Sequence, residues 1–144
     1  MARSKRFLGC QYPLVKTPRG ILAQKNGVNQ IKADLLQLLL TNPGERVMLP
    51  DYGTPLRRLL FEPNDIILES EARNMIANSI RKWEPRIELE GIQVSSIIDP
   101  SDLNTNDREE DSGYILSIKI IFRDPTNITE IQELVLQVPL ASGS

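Results

Sequence analysis

Several residues in this 144-residue chain have types and spacings that could do chemistry. Glu45 with Asp51, or Glu62 with Asp65, would suit glycoside hydrolysis. That reaction sets two acids about 5–9.5 Å apart, one protonating the leaving oxygen and the other acting as base or nucleophile. Ser95, Ser96 and Cys10 are nucleophile types, and Asp99, Asp102, Asp107, Glu109, Glu110 and Asp111 could gather calcium. Each candidate meets an objection. The paired acids sit among turn and cap signals, where acids are expected anyway, and 19 acidic residues make such pairs common. The chain has no histidine, so the usual base for a serine or cysteine is missing. The acidic run lacks the spacing of a calcium-binding loop and reads as a solvated hairpin loop. Asn42-Pro43-Gly44 lacks the phosphate-loop pattern and its lysine. The residues therefore predict no catalytic group, no metal site and no cofactor.

Glu84-Pro85-Arg86 is different. Proline fixes its own backbone angle and pushes the residue before it out of helix. The tripeptide is stiff, and it places one carboxylate and one guanidinium at a helix-to-sheet corner. Two readings follow. As a helix stop with solvated charges, the pair contributes about 0–1 kcal/mol. As a preset clamp its two charges engage a partner, and losing one member of a buried bidentate pair costs about 3–5 kcal/mol. Trp83 is the sole tryptophan. Its place on the helix stripe makes it a core residue, with an interface role as the alternative because it adjoins the charged pair.

The bulk numbers fit one soluble domain: 40% hydrophobic, 25% charged and a net charge of −2. There is no basic excess to attract nucleic acid or anionic lipid. No apolar run reaches the ~18 residues that span a membrane. Phe7-Leu8-Gly9-Cys10 resembles a lipoprotein cleavage box, but Arg3, Ser4, Lys5 and Arg6 supply no apolar stretch before it. The expectation is an intracellular protein with one free thiol, Cys10.

Stepping outward, these residues need elements to hold them. Residues 1–28 read as an extended arm with a short strand around Gly20 to Gln24. Ile31, Leu35, Leu38 and Leu39 predict a helix from Asn29 to Leu40, capped by Asn29 or Asn26 and buried on most sides. Glu45 to Asp51 reads as extended, with Val47 and Leu49 on one side. Thr54-Pro55 opens a short helix carrying Leu56, Leu59, Leu60 and Phe61. A long helix runs from an Asn64 cap to Lys82 or Trp83, with Leu68, Ala72, Met75, Ile76, Ser79, Ile80 and Trp83 on its apolar stripe. Three strands follow. The first starts after Gly91, since Ile87 and Leu89 are out of phase with Ile92, Val94 and Ile98. The second spans Tyr114 to Arg123, and the third runs near Ile131 to Val138. The second is the most apolar and so central, leaving the outer two open to strand addition. The expected fold is α+β: a small antiparallel sheet with helices on one face, in one domain over 29–144 behind the arm.

LLLTNPGERVMLPDYGTPLRRLLFEPND, followed about twenty residues later by WEPR, closely resembles the baseplate wedge and sheath-initiator family of contractile phage tails. Relatives of that family occur in type six secretion systems and other contractile injection machines. The resemblance covers roughly Gly27 to Val138 and includes the family's signature tripeptide at Glu84, Pro85 and Arg86. It implies a structural subunit of the virion tail baseplate, assembled in the host cytoplasm. Its implied partners are other wedge proteins, the tail sheath, and tube or hub proteins, without nucleic acid or membrane. Glu84, Pro85 and Arg86, with Trp83 beside them, would contact the helical core bundle of the wedge. The sheet, including Ile118, Ile120, Leu134 and Leu136, would face the sheath and template its first ring by β-augmentation. Members have been labelled lysozyme-like, which keeps a peptidoglycan hydrolase acting in tail penetration as the alternative. On the docking reading, Arg86→Ala leaves the isolated fold intact.

Overall fold

Leu116, Ile118, Ile120 and Phe122 alternate along one strand, and all four are buried, the last three completely. This period-two pattern makes the strand the floor of the core. The computed structural model describes residues 8–10, 13–61, 66–98, 114–124 and 129–139. Its main sheet has three antiparallel strands in the order β3–β4–β5: β3 Glu88–Ile98, β4 Tyr114–Arg123 and β5 Ile131–Pro139. The most apolar strand is central, as its pattern predicts. Helices α1 (Val28–Leu40) and α2 (Ile66–Trp83) supply the other half of the core, and the fold is α+β. Ile31, Leu35, Leu38 and Leu39 of α1 meet Leu68, Ala72, Ile76 and Ile80 of α2 over that floor.

Local differences from the sequence expectation have physical causes. β3 begins at Glu88, before Gly91, because a β-bulge between Leu89 and Gly91 absorbs the phase change. α1 has no side-chain cap: Gly27, at φ 59°, precedes it, and its carbonyl accepts from the Gln30 amide at 3.0 Å. A glycine accepts that backbone angle without strain, so neither Asn26 nor Asn29 is needed as a cap. α1 is less enclosed than its leucines suggest, with Leu40 49% exposed. The helix after Thr54-Pro55 is a 3₁₀ helix, Leu56–Phe61. The Asn64 cap and the acidic loop 99–112 lie outside the described residues.

The stretch from Glu45 to Asp51 is not extended chain. It is a run of turns closed by its own backbone: Gly44 donates to Pro50 at 2.6 Å, Glu45 to Asn42 at 3.1 Å, and Leu49 to Arg46 at 3.3 Å. Among the described residues no strand pairs with it, and these bonds satisfy part of its backbone locally. The arm before α1 is likewise more than extended chain. β1 (Leu8–Cys10) pairs with β2 (Gln24–Asn26), and a bridge joins Lys16 to Leu22 within the same hairpin. Gly9 lies so close to α1 that a Cβ there would fall 2.3 Å from the Gln30 amide nitrogen.

Candidate functional site

Glu84, Pro85 and Arg86 stand where α2 hands over to β3. The Glu84 amide still donates to the Ile80 carbonyl at 2.8 Å, so the helix geometry holds through that residue and proline then ends it. Arg86 grips Glu84 with a fork: Nε donates to Oε1 and Nη2 to Oε2, both at 2.5 Å. Nη2 also donates to Oδ2 of Asp34 on α1 at 2.6 Å. Asp34 is held from its own helix, where Gln30 Nε2 donates to Oδ1 at 2.8 Å. The network ties the end of α2 to the middle of α1, across 52 residues of chain.

Burial settles what these charges do. The Glu84 side chain is 5% exposed, Arg86 33% and Asp34 28%. The pair is not two solvated charges: within the chain Arg86 occupies the Glu84 carboxylate. The bonds to Glu84, and secondarily to Asp34, push the Arg86 guanidinium pKa further up, against a burial penalty. Arg86→Ala would leave the buried Glu84 carboxylate without its cation, so a loss of stability is expected alongside any effect on docking.

Trp83 is half-buried and packs against the core. Its ring meets Tyr52 edge to face, centroids 5.4 Å apart at 64°. Lys82 Nζ lies 4.7 Å from the Trp83 ring centre and the Arg46 guanidinium 4.5 Å from that of Tyr52. Tyr52 is placed there by Gly53, whose φ is +123° and whose missing Cβ would stand 2.2 Å from the Thr41 carbonyl oxygen. Thr54 then donates its amide to that same oxygen at 2.9 Å. Burial raises the Tyr52 phenol pKa, the nearby Arg46 opposes the shift, and Asp34 and Glu84 add to it.

Asp34, Gln30, Tyr52 and Arg46 were not nominated from sequence. A signal existed for two of them: Asp34 is the sole acid of α1, and Gln30 precedes it by one helical turn. The other nominated residues go elsewhere. Ile118 and Ile120 are fully buried and Leu134 nearly so, with Leu136 packed against the same core. Their side chains pack toward the helices, so a contact from this sheet to a sheath subunit would have to use its strand edges or outer face.

Of the acid candidates, Glu45 is tied to its own loop. Glu45 accepts from the Asn42 amide at 2.9 Å and its Nδ2 at 3.0 Å, and Arg57 stands 3.5 Å away. Its pKa is lowered, chiefly by the Asn42 bonds, whereas a general acid needs it raised. Glu62 and Asp65 lie outside the described residues. Ser96 gives its hydroxyl to Glu69 at 3.3 Å, and Cys10 is a free, exposed thiol. Among the described residues no group of three metal-ligating side chains converges, and no helix is long and apolar enough to cross a membrane.

Fold and corner together define a small α+β domain whose strongest polar contacts brace its own helices. The chain belongs to the family described as baseplate wedge protein gp25, whose model matches residues 25–120. It is 27% identical over 112 residues to the baseplate wedge protein gp25 of Enterobacteria phage T4, covering 78% of this chain and 75% of that one. A solved structure from Geobacter sulfurreducens, described as a candidate tail lysozyme, superposes with a TM-score of 0.63 at 26% identity, over 83% of this chain and 97% of that one. A chain of the anti-feeding prophage baseplate has the same fold, with a TM-score of 0.60 at 20% identity, over 91% of this chain and 83% of that one. The protein is thus a baseplate wedge protein of contractile tail systems, a component of the tail baseplate.

Proposed function

We propose that this subunit is a non-enzymatic docking element that seats on the helical core bundle of neighbouring wedge proteins and starts the sheath. The observation that carries the docking half is the Arg86 fork. It locks the α2–β3 corner to α1 and leaves a third of the guanidinium side chain at the surface. Pro85 and Trp83 keep that corner from moving. A partner would meet a pre-organised surface, and little ordering entropy would be lost on binding. In this reading the hairpin before α1 is an arm on a single α+β domain spanning 29–144.

The sheath half rests on the sheet edges. β4 is paired on both sides, so only β3 and β5 can accept a strand. At β3 the Ser96 amide already donates to Glu69 of α2 at 3.1 Å. That contact guards the β3 edge and makes β5 the acceptor, with Leu134 and Leu136 fixing its register from the core side. The lowered Glu45 pKa does not suit the general-acid role that the hydrolase alternative would give it.

Arg86→Lys tests docking, because it keeps the charge and loses the fork. Incorporation into baseplates should fall about tenfold or more, with the purified variant still folded by circular dichroism. Wild-type incorporation would reject the docking role. A proline scan along Ile131–Val138 tests the edge. Positions whose amide faces β4 should unfold the sheet, while those facing outward should keep the fold and stop sheath growth. The hydrolase alternative predicts sustained clearing of purified peptidoglycan that vanishes in Glu45→Gln or Glu62→Gln.

A further inference from the structure

The turn between α1 and the 3₁₀ helix carries a feature that neither the corner nor the sheet explains. Val47 and Met48 sit at its tip and are each 93% exposed. The loop around them is well tied, with Gly44 bonded to Pro50 at 2.6 Å and the Tyr52 amide to the Leu49 carbonyl at 3.1 Å. Two adjacent apolar side chains held out on a closed loop are costly to hydrate and are left almost wholly exposed.

The surroundings of the tip say what would cover it. Arg46 and Lys82 lie over the rings of Tyr52 and Trp83, and those rings touch. This line of rings and cations runs from the tip to the end of α2, so the tip and the ionic corner share one continuous surface. Of the carboxylates there, Glu45 is held by Asn42 and Arg57, and Asp34 and Glu84 by Arg86. Asp51 is the exposed acid beside the tip. The surface is therefore apolar at its point and cationic along its flank.

We propose that the tip is a plug: Val47 and Met48 insert into the seam between two helices of a neighbouring baseplate subunit, and Arg46 and Lys82 meet carboxylates lining that seam. Two adjacent side chains on a narrow turn match the hole between packed helices better than a flat face, and a methionine thioether adapts to its shape. The cations would fix register and favour partners with acidic flanks. This inference rests on the docking reading and adds to it a second contact, made by residues outside the Glu84–Arg86 signature.

The test uses the full chain in a particle-producing strain that lacks its own copy. A photo-cross-linking amino acid replaces Met48, and assembled particles are irradiated. The expected product joins position 48 to a helical peptide of another baseplate subunit carrying acidic residues within a turn of the cross-link. A product with a second copy of this chain, a product with lipid, or no product would overturn the proposal. In parallel, Met48→Asp should lower incorporation about tenfold or more while leaving the melting temperature of the purified protein unchanged. Wild-type incorporation of Met48→Asp alongside loss in Arg86→Lys would remove the plug and keep the corner. The opposite pair of results would remove the corner's docking role and keep the plug as a contact in its own right.

Discussion

The corner at Glu84–Arg86 and the tip at Val47–Met48 lie on one surface but solve opposite problems. The corner concentrates charge and satisfies it internally, with Glu84 5% exposed and gripped by two bonds from Arg86. The tip concentrates apolar surface and leaves it open, with both side chains 93% exposed. A signature tripeptide invites the inference that its charges touch the partner directly. Here they first hold α1, α2 and β3 in one arrangement, and the unmet demand for contact lies at the tip. On the proposed docking reading, the corner also sets the angle at which its neighbours are presented.

The contrast breaks most sharply at Arg86. Arg86→Ala should cost about 3 kcal/mol, the low end for a broken buried pair because a third of the arginine side chain reaches solvent. Urea unfolding of the purified protein checks this, and a midpoint equal to wild type would mean that Glu84 does not need its cation. Gly53→Ala comes next, at about 2 kcal/mol. Its Cβ would collide with the Thr41 carbonyl, and its φ of +123° is unfavourable for any side chain. This variant should also displace Tyr52 and with it the base of the tip. Loss of the close contact between Tyr52 and Trp83 would then appear as a change in tryptophan fluorescence before the global transition.

How far the sequence reveals all this follows from the range of the forces involved. Periodicity located the core, because an apolar face must be buried whatever lies opposite. Leu116, Ile118, Ile120 and Phe122 were legible as the inner face of a central strand, and α2 kept its stripe from Leu68 to Ile80. The corner was legible as a stiff charged element, since proline acts on its immediate neighbours. Its third member was not, because Asp34 lies 52 residues from Arg86 and nothing local encodes their meeting. The tip was misread because alternation at Val47 and Leu49 mimics a strand. Strand pairing depends on a neighbour that the local sequence does not specify, and here none of the described residues supplies one. The β3 bulge misled for a related reason: one extra residue shifts every later side chain to the other face.

The smallest expected effect bears most directly on whether corner and tip communicate. Tyr52 lies between them, with Asp34 and Glu84 on one side and Arg46 on the other. Its pKa is raised above 10.0, first by burial. The unfolded chain therefore ionises this phenol before the folded one does. The folded state has the full benefit below about pH 10 and loses it as pH rises through the folded pKa. Tyr52→Phe should flatten that part of the stability profile, as checked by urea midpoints taken across the alkaline range. Two variants separate the sources of the field. Asp34→Asn removes a negative neighbour and should lower the phenol pKa, while Arg46→Met removes a positive one and should raise it. An ultraviolet titration with the Tyr52→Phe trace subtracted reads both. Opposite shifts would establish that the ionic corner and the tip act on one residue, and that a partner drawing Arg46 away would be felt at the corner. If only Arg46→Met moves the titration, the corner is electrically closed, and its influence on the tip passes through packing at Trp83 alone.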